Sequence, residues 1–211
     1  MRIRDSLCVF VVILLTLPGI VVAAPTENLR NEKVRVVEQT LAPREIVLLQ
    51  ADRASVVVYL DDGSIETTAP GGRPQKSAVK RGDAVFEWHT GIFKNAGTSP
   101  LRIVLTEYLG RGGSQTWGTA GLAPDYKLFF ENQYGRAYSI KIAAGKTEPL
   151  HTHKDRIVIC LSGAQLEHEM PDGRREVATL KTGEIAWRRG VTHVGHNIGK
   201  TDLWAIAIEP K

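Results

Sequence analysis

The sequence is short of cysteine, of like-charge runs and, beyond its first 24 residues, of long hydrophobic stretches. Its two cysteines are Cys8 and Cys160, too few for a scaffold stapled by disulfides. Lys and Arg number 27 against 23 Asp and Glu, a net charge of +4, and the basic residues are scattered. A nucleic-acid-binding surface concentrates them on one face, so no nucleic-acid partner is expected. With 43% hydrophobic and 24% charged residues, the chain is not a disordered tail, a coiled coil or a multi-span membrane protein. There is no Gly-x-Ser-x-Gly elbow, no P-loop and no Gly-x-Gly-x-x-Gly after a strand.

The one sustained apolar run is at the start. Arg2 and Arg4 precede Leu7–Leu17, and Pro18-Gly19 interrupts the run before Val21-Val22-Ala23-Ala24. A charged start, a short apolar stretch and small exit residues mark a secretory signal peptide. A membrane-spanning helix needs about 20 apolar residues, which this run does not reach. Residues 1–23 are therefore expected to be a cleaved leader, with the protein in the periplasm or outside the cell and no stable membrane anchor. Cys8 lies at the beginning of the apolar run, the wrong end for lipidation. Cleavage leaves Cys160 alone, inside Ile157-Val158-Ile159-Cys160-Leu161, where packing is the expected role. The remaining chain of about 180 residues is long enough for a sizeable core.

Past Glu32 the pattern is one of short β-branched runs: Lys33–Val37, Glu45–Leu49, Ser55–Leu60, Ala84–Trp88 and Leu101–Glu107. Turn signals such as Asp61-Asp62-Gly63 separate them. After Gly110-Arg111-Gly112-Gly113 the pattern resumes with Arg136–Ala143, Arg156–Leu161, Gln165–Met170, Glu184–Trp187 and Asp202–Ile208. The halves match. Val79–Asp83 resembles Leu180–Glu184 at an offset of 101, and Asn95-Ala96-Gly97 resembles Asn197-Ile198-Gly199 at 102. A repeat of about 100 residues exceeds solenoid periods of about 20–50, so the expectation is all-β, with an N-terminal domain over 24–110, a linker over 111–130 and a C-terminal domain over 131–211.

His151 and His153 are two apart before an apolar strand. Residues i and i+2 share a strand face, so two imidazoles on one wall can hold a single metal ion. His193, just after Gly190-Val191-Thr192, is the candidate third ligand. His196 is the weaker choice, because three residues on it faces the other way. His168 lies on an alternating strand that could line the barrel, but the turn Pro171-Asp172-Gly173 follows at once and favours a solvated edge. Trp88 and Trp187 occupy matching strands and read as core or barrel-wall aromatics.

Gly145-x5-His151-x-His153, followed by Cys160-Leu161-Ser162-Gly163, resembles the first motif of the cupins. Gly183, then Gly190-x2-His193-x3-Asn197, resembles the second. The resemblance implies a bicupin, that is, two double-stranded β-helix (jelly-roll) barrels in tandem, with the metal motif only in the C-terminal copy. In the N-terminal copy, offsets of 100 to 102 map His151 to Leu49, Gln50 or Ala51, and His193 to Gly91, Ile92 or Phe93. His89 falls outside the matching positions.

The family's motif adds a glutamate after the second histidine, and here Arg156, Ile157 and Val158 stand at the places where it would fall. Asp155, on the parity of His151 and His153, and Glu148, three residues before the pair, are the candidate fourth ligands; a site of three histidines alone is the other reading. Arg156 beside the site would favour an anionic substrate, the other reading being a solvated strand-end arginine. The implied cofactor is one divalent transition metal: iron, manganese, nickel, copper or zinc. The implied partner is a small-molecule ligand or substrate, and a second copy of the chain is a candidate. Two functions follow: a metal-dependent enzyme of dioxygenase, isomerase or decarboxylase type, and a non-catalytic small-molecule binder.

Overall fold

The architecture is described from a computed structural model over residues 24–49, 53–87 and 91–211. The expected leader over 1–23, together with Gln50, Ala51, Asp52, Trp88, His89 and Thr90, lies outside the described residues. The first half consists of β1 (Thr26–Arg30), β2 (Val34–Leu41), β3 (Ile46–Leu49), β4 (Ser55–Tyr59), β5 (Gly63–Thr68), β6 (Gln75–Val79), β7 (Ala84–Glu87), β8 (Gly91–Asn95) and β9 (Leu101–Tyr108). The second consists of β10 (Lys127–Glu131), β11 (Gly135–Ile142), β12 (Thr147–His153), β13 (Arg156–Ser162), β14 (Ala164–Glu169), β15 (Arg175–Leu180), β16 (Ile185–Arg188), β17 (Val191–Asn197) and β18 (Leu203–Pro210). No helix occurs among the described residues.

The strands form four sheets, ordered β1-β2-β9-β4-β7 and β3-β8-β5-β6 in the first half, and β10-β11-β18-β13-β16 and β12-β17-β14-β15 in the second. Adding nine to each strand number of the first half gives the second, so the repeat read in the sequence is a repeat of topology. Each half is a jelly roll, in which two sheets fold over one another and protect their edges. Registers fix the equivalences. Leu41 pairs Leu101 where Ile142 pairs Leu203, and Arg35 pairs Glu107 where Arg136 pairs Glu209. Asn95 Nδ2 donates to the Leu41 and Ser99 carbonyls as Asn197 Nδ2 donates to those of Ile142 and Thr201. Arg44 and Gly145 share a left-handed turn, φ 68° and 75°, a conformation that glycine adopts without penalty.

The uninterrupted apolar runs are strands buried on both faces. In β13, Val158 and Cys160 face the interior of their own barrel, whereas Ile157, Ile159 and Leu161 face the other half. In β4, Val57 and Tyr59 point inward, and Val56 and Val58 point across. The two five-stranded sheets meet through these residues with Val34, Val36, Val104, Tyr108, Ile206 and Ile208 in one shared core. Phe86 stacks on Tyr134, and Arg81 Nη2 donates to the Leu161 carbonyl at 2.5 Å. Trp187 packs against this core, matching its expected role as a wall aromatic.

The barrel interiors differ. The N-terminal one is filled by Phe93 against Tyr59, with Ile103 and Leu105. At the matching positions of the C-terminal barrel stand Gly195, Cys160, Ala205 and Ala207. These smaller side chains make the room that the histidines use.

Candidate metal centre

The site is built on β12 and β17, which pair antiparallel with His151 opposite His193. A β-bulge shifts the register between Glu148 and His151. It reverses the alternation, so Glu148, His151 and His153 are all buried while Leu150 is exposed. On β17 the buried positions are His193, Gly195 and Asn197. His151, His153 and His193 each offer a nitrogen, all within 4.8 Å of one another.

The hydrogen bonds fix the histidine tautomers. His151 Nδ1 lies 2.8 Å from the Pro149 carbonyl. A carbonyl only accepts, so Nδ1 carries the proton and Nε2 a lone pair. Tyr138 donates its hydroxyl proton to Glu209 Oε1 at 2.8 Å, and His153 Nδ1 lies 2.8 Å from the same phenol oxygen. His153 Nδ1 is therefore the donor, and its Nε2 is also a lone pair. The two Nε2 atoms are 3.0 Å apart. Neither nitrogen of His193 has a hydrogen-bond partner, although the residue is buried. Buried acceptors are ordinarily satisfied. Lone pairs converging on one point are what a shared cation requires, and nitrogens bound at about 2.1 Å to one ion stand about 3 Å apart; the Tyr126 hydroxyl, 3.1 Å from His151 Nε2, donates to Glu148 Oε2.

Burial keeps the imidazoles neutral, as metal ligation needs. It lowers His193 to about 3 and His153 well below the usual histidine range, with neighbouring cationic groups adding to the effect. His151 is lowered by the same desolvation. Behind His153 runs a buried chain of contacts. Glu209 accepts from Tyr138, from the Lys154 backbone N–H at 2.9 Å and from Arg136 Nε at 2.6 Å, and Arg136 Nη1 donates to the Gly118 and Ala120 carbonyls. Partners of this kind orient metal-binding histidines and fix their tautomers.

Of the two carboxylates expected as fourth ligands, Glu148 is at the site and Asp155 is not. Glu148 Oε2 is 3.8 Å from His151 Nε2 and accepts from the Tyr126 hydroxyl at 3.0 Å. Burial pushes its carboxyl up to about 7. Asp155 has left the strand, which ends at His153; it accepts from the Gly190 N–H at 2.7 Å and from Arg189. For His168 the barrel-lining reading holds over the favoured solvated edge. On β14 it shares the inward parity of Ala164 and Leu166, and its ring is 4.2 Å from that of His193. Burial lowers it to about 4. His196 faces away, against Thr147 Oγ1 at 2.9 Å. Cys160 is packed in the barrel wall, and burial pushes its thiol up to about 11. In the N-terminal half, Gly91 occupies the place of His193.

Sequence reasoning missed Tyr126, Tyr138, Arg136 and Glu209. Arg136 and Glu209 carried a signal, since Arg35 and Glu107 repeat them and make the equivalent ion pair at 3.0 Å. Tyr126 carried none. It arrives on residues 118–126, inside the stretch expected to be a linker, and packs with Ala123 on the C-terminal barrel core.

A jelly roll with a histidine triplet inside one barrel defines a class, the cupin fold. No protein-family model matches the sequence, and no curated protein is similar to it in sequence. Among solved structures, the chain is similar to a cupin 2 conserved barrel domain protein from Leptotrichia buccalis, with a TM-score of 0.57 and 13% identity over 89% of this chain and 88% of that one. It is similar to Bacillus subtilis oxalate decarboxylase, a protein with Mn(II) centres, with a TM-score of 0.56 and 15% identity over 84% and 69%. It is also similar to AerE from Microcystis aeruginosa, with a TM-score of 0.56 and 16% identity over 89% and 97%. These neighbours are cupin-domain proteins, and at such identities they share the fold.

Proposed function

We propose that the chain is an exported bicupin with units over 24–110 and 131–211, and that its C-terminal barrel binds one divalent transition metal through His151, His153 and His193. The observation that carries this reading is the convergence of three buried imidazoles, with the Nε2 lone pairs of His151 and His153 3.0 Å apart and no hydrogen-bond partner on either nitrogen of His193. We read the site as that of a metal-dependent enzyme acting on a small organic substrate. Bound there, an ion with open positions would polarise the substrate or activate O2. Tyr138 and Glu209 hold His153 in its ligating tautomer, and Pro149 does the same for His151. Glu148 Oε2, with Tyr126, would complete the donor set or take a proton from a bound molecule. A non-catalytic binding protein is the second reading, favoured by Arg156 standing where the family's motif places a glutamate.

The test is metal content after loading and desalting, followed by oxygen uptake with thiols, phenols and small acids. About one equivalent per chain is expected, with most of it lost in His151→Ala, His153→Ala and His193→Ala. Retention of far less than one equivalent by the wild type overturns the reading. A loaded protein that binds small acids but turns over nothing supports the second one.

A further inference from the structure

Arg156 opens β13 on the parity of Val158 and Cys160, and therefore faces the interior of the barrel that holds the histidines. Its side chain is buried, with the residue only 7% exposed. A buried guanidinium is ordinarily matched by a carboxylate, yet no Asp or Glu among the described residues makes an ion pair with it. Nη1 donates to the main-chain carbonyls of Lys154 at 3.3 Å and Arg189 at 3.0 Å, and Nε has no acceptor. Arg188 lies directly opposite on β16, so the two side chains share a face. Arg188 is half-exposed and held by Glu184, which places a second cation further out on that face.

A purely structural arginine would be expected to use its fork on the chain. This one leaves a donor idle inside the barrel, where the guanidinium's planar donor set matches a carboxylate.

We propose that Arg156 is the anchor for an anionic substrate: a small carboxylate enters the C-terminal barrel, one carboxylate oxygen meets the idle Nε–H, and the rest of the molecule lies towards the histidines. The anchor stands on the arginine itself; only the placement of the reacting end rests on the metal reading above.

The experiment titrates the full chain with malonate and with its neutral counterpart malonamide, by calorimetry and by thermal shift, in metal-loaded and metal-stripped protein of measured metal content. Malonate is expected to bind and to raise the melting temperature, and malonamide to do neither. Arg156→Gln should raise the malonate Kd at least tenfold while keeping the wild-type metal equivalents, and Arg156→Lys should recover part of the loss. Equal responses to malonate and malonamide in the wild type overturn the proposal without recourse to any variant. So does unchanged malonate binding in Arg156→Gln, or a loss of metal in that variant, which would make the arginine structural. If the wild type holds no metal but stripped protein still prefers malonate through Arg156, the metal reading fails and the anion site stands.

Discussion

Glu148 and Gly195 face each other across β12 and β17, so closely that a Cβ on Gly195 would lie 2.9 Å from Glu148 Oε2. The matching pair in the N-terminal barrel is Val47 opposite Phe93. One half uses this position to admit a carboxylate, and the other fills it with an aromatic ring. Gly195→Ala should therefore push the carboxylate off its place and mimic Glu148→Gln. Both variants are expected to fold and to weaken metal binding about tenfold, within the range for groups that support a metal site. Chelator competition reads this directly. Wild-type affinity in both variants would leave a site of histidines only.

Tyr138 connects His153 Nδ1 to Glu209. Tyr138→Phe removes that oxygen, frees the His153 tautomer and leaves a buried Glu209 oxygen short of one donor. Metal affinity should fall about 10–100-fold, and stability by about 1–3 kcal/mol. Chelator competition and chemical denaturation measure the two effects. A variant with weakened stability but full metal affinity would show that the phenol braces Glu209 alone.

The two outer histidines separate by their faces. His168 lies against His193 within the barrel, and its loss should loosen that imidazole. His168→Ala is expected to lower metal affinity several-fold, whereas His196→Ala, on the opposite face against Thr147, should leave it unchanged. Equal effects from the two would refute the assignment of faces.

Acid should destabilise the metal-free protein. Burial lowers His168 to about 4 and His193 to about 3. Below about pH 6.5 the unfolded chain takes up protons that the folded one refuses, so stability is lost as pH falls. By pH 5 the two histidines together cost at most about 4 kcal/mol. His151 and His153 act with the same sign. Glu148 acts against them: its carboxyl, raised to about 7, gains a proton in the fold first and returns about 2 kcal/mol over the same interval. Denaturant unfolding after chelation should show a net loss between pH 7 and 5, and a steeper one in Glu148→Gln. A flat profile in both proteins would contradict the burial of neutral imidazoles.

The residues that the sequence revealed are those whose environment follows strand periodicity. His151 and His153 share a face because they are two apart. Ile157–Leu161 reads as unbroken apolar sequence because β13 is covered on both sides, by its own barrel and by the other half. The residues it concealed depend on departures from that periodicity. The bulge before His151 turned Glu148 inward against its parity, while the end of β12 at His153 released Asp155 to the Gly190 turn. His168 was hidden because an alternating strand before a turn has the same pattern whether it rims the solvent or lines a barrel. Tyr126 was hidden because it reaches the site from outside the repeated strands.

Ile157 tests how the two halves depend on each other. It is fully buried in the core formed by both five-stranded sheets, pairing with Trp187 on one side and Ile208 on the other, and it faces away from the histidines. Ile157→Ala removes three carbons from a region closed on every side, and such truncations cost about 2–5 kcal/mol. Because Val56, Val58 and Val104 of the first half pack in the same cluster, the loss falls on both barrels. A single unfolding transition is expected in the wild type, shifted as a whole in the variant, with metal content unchanged in protein that remains folded. Two separate transitions, with only the C-terminal one moved, would show that the barrels are independent units and that the shared core adds little.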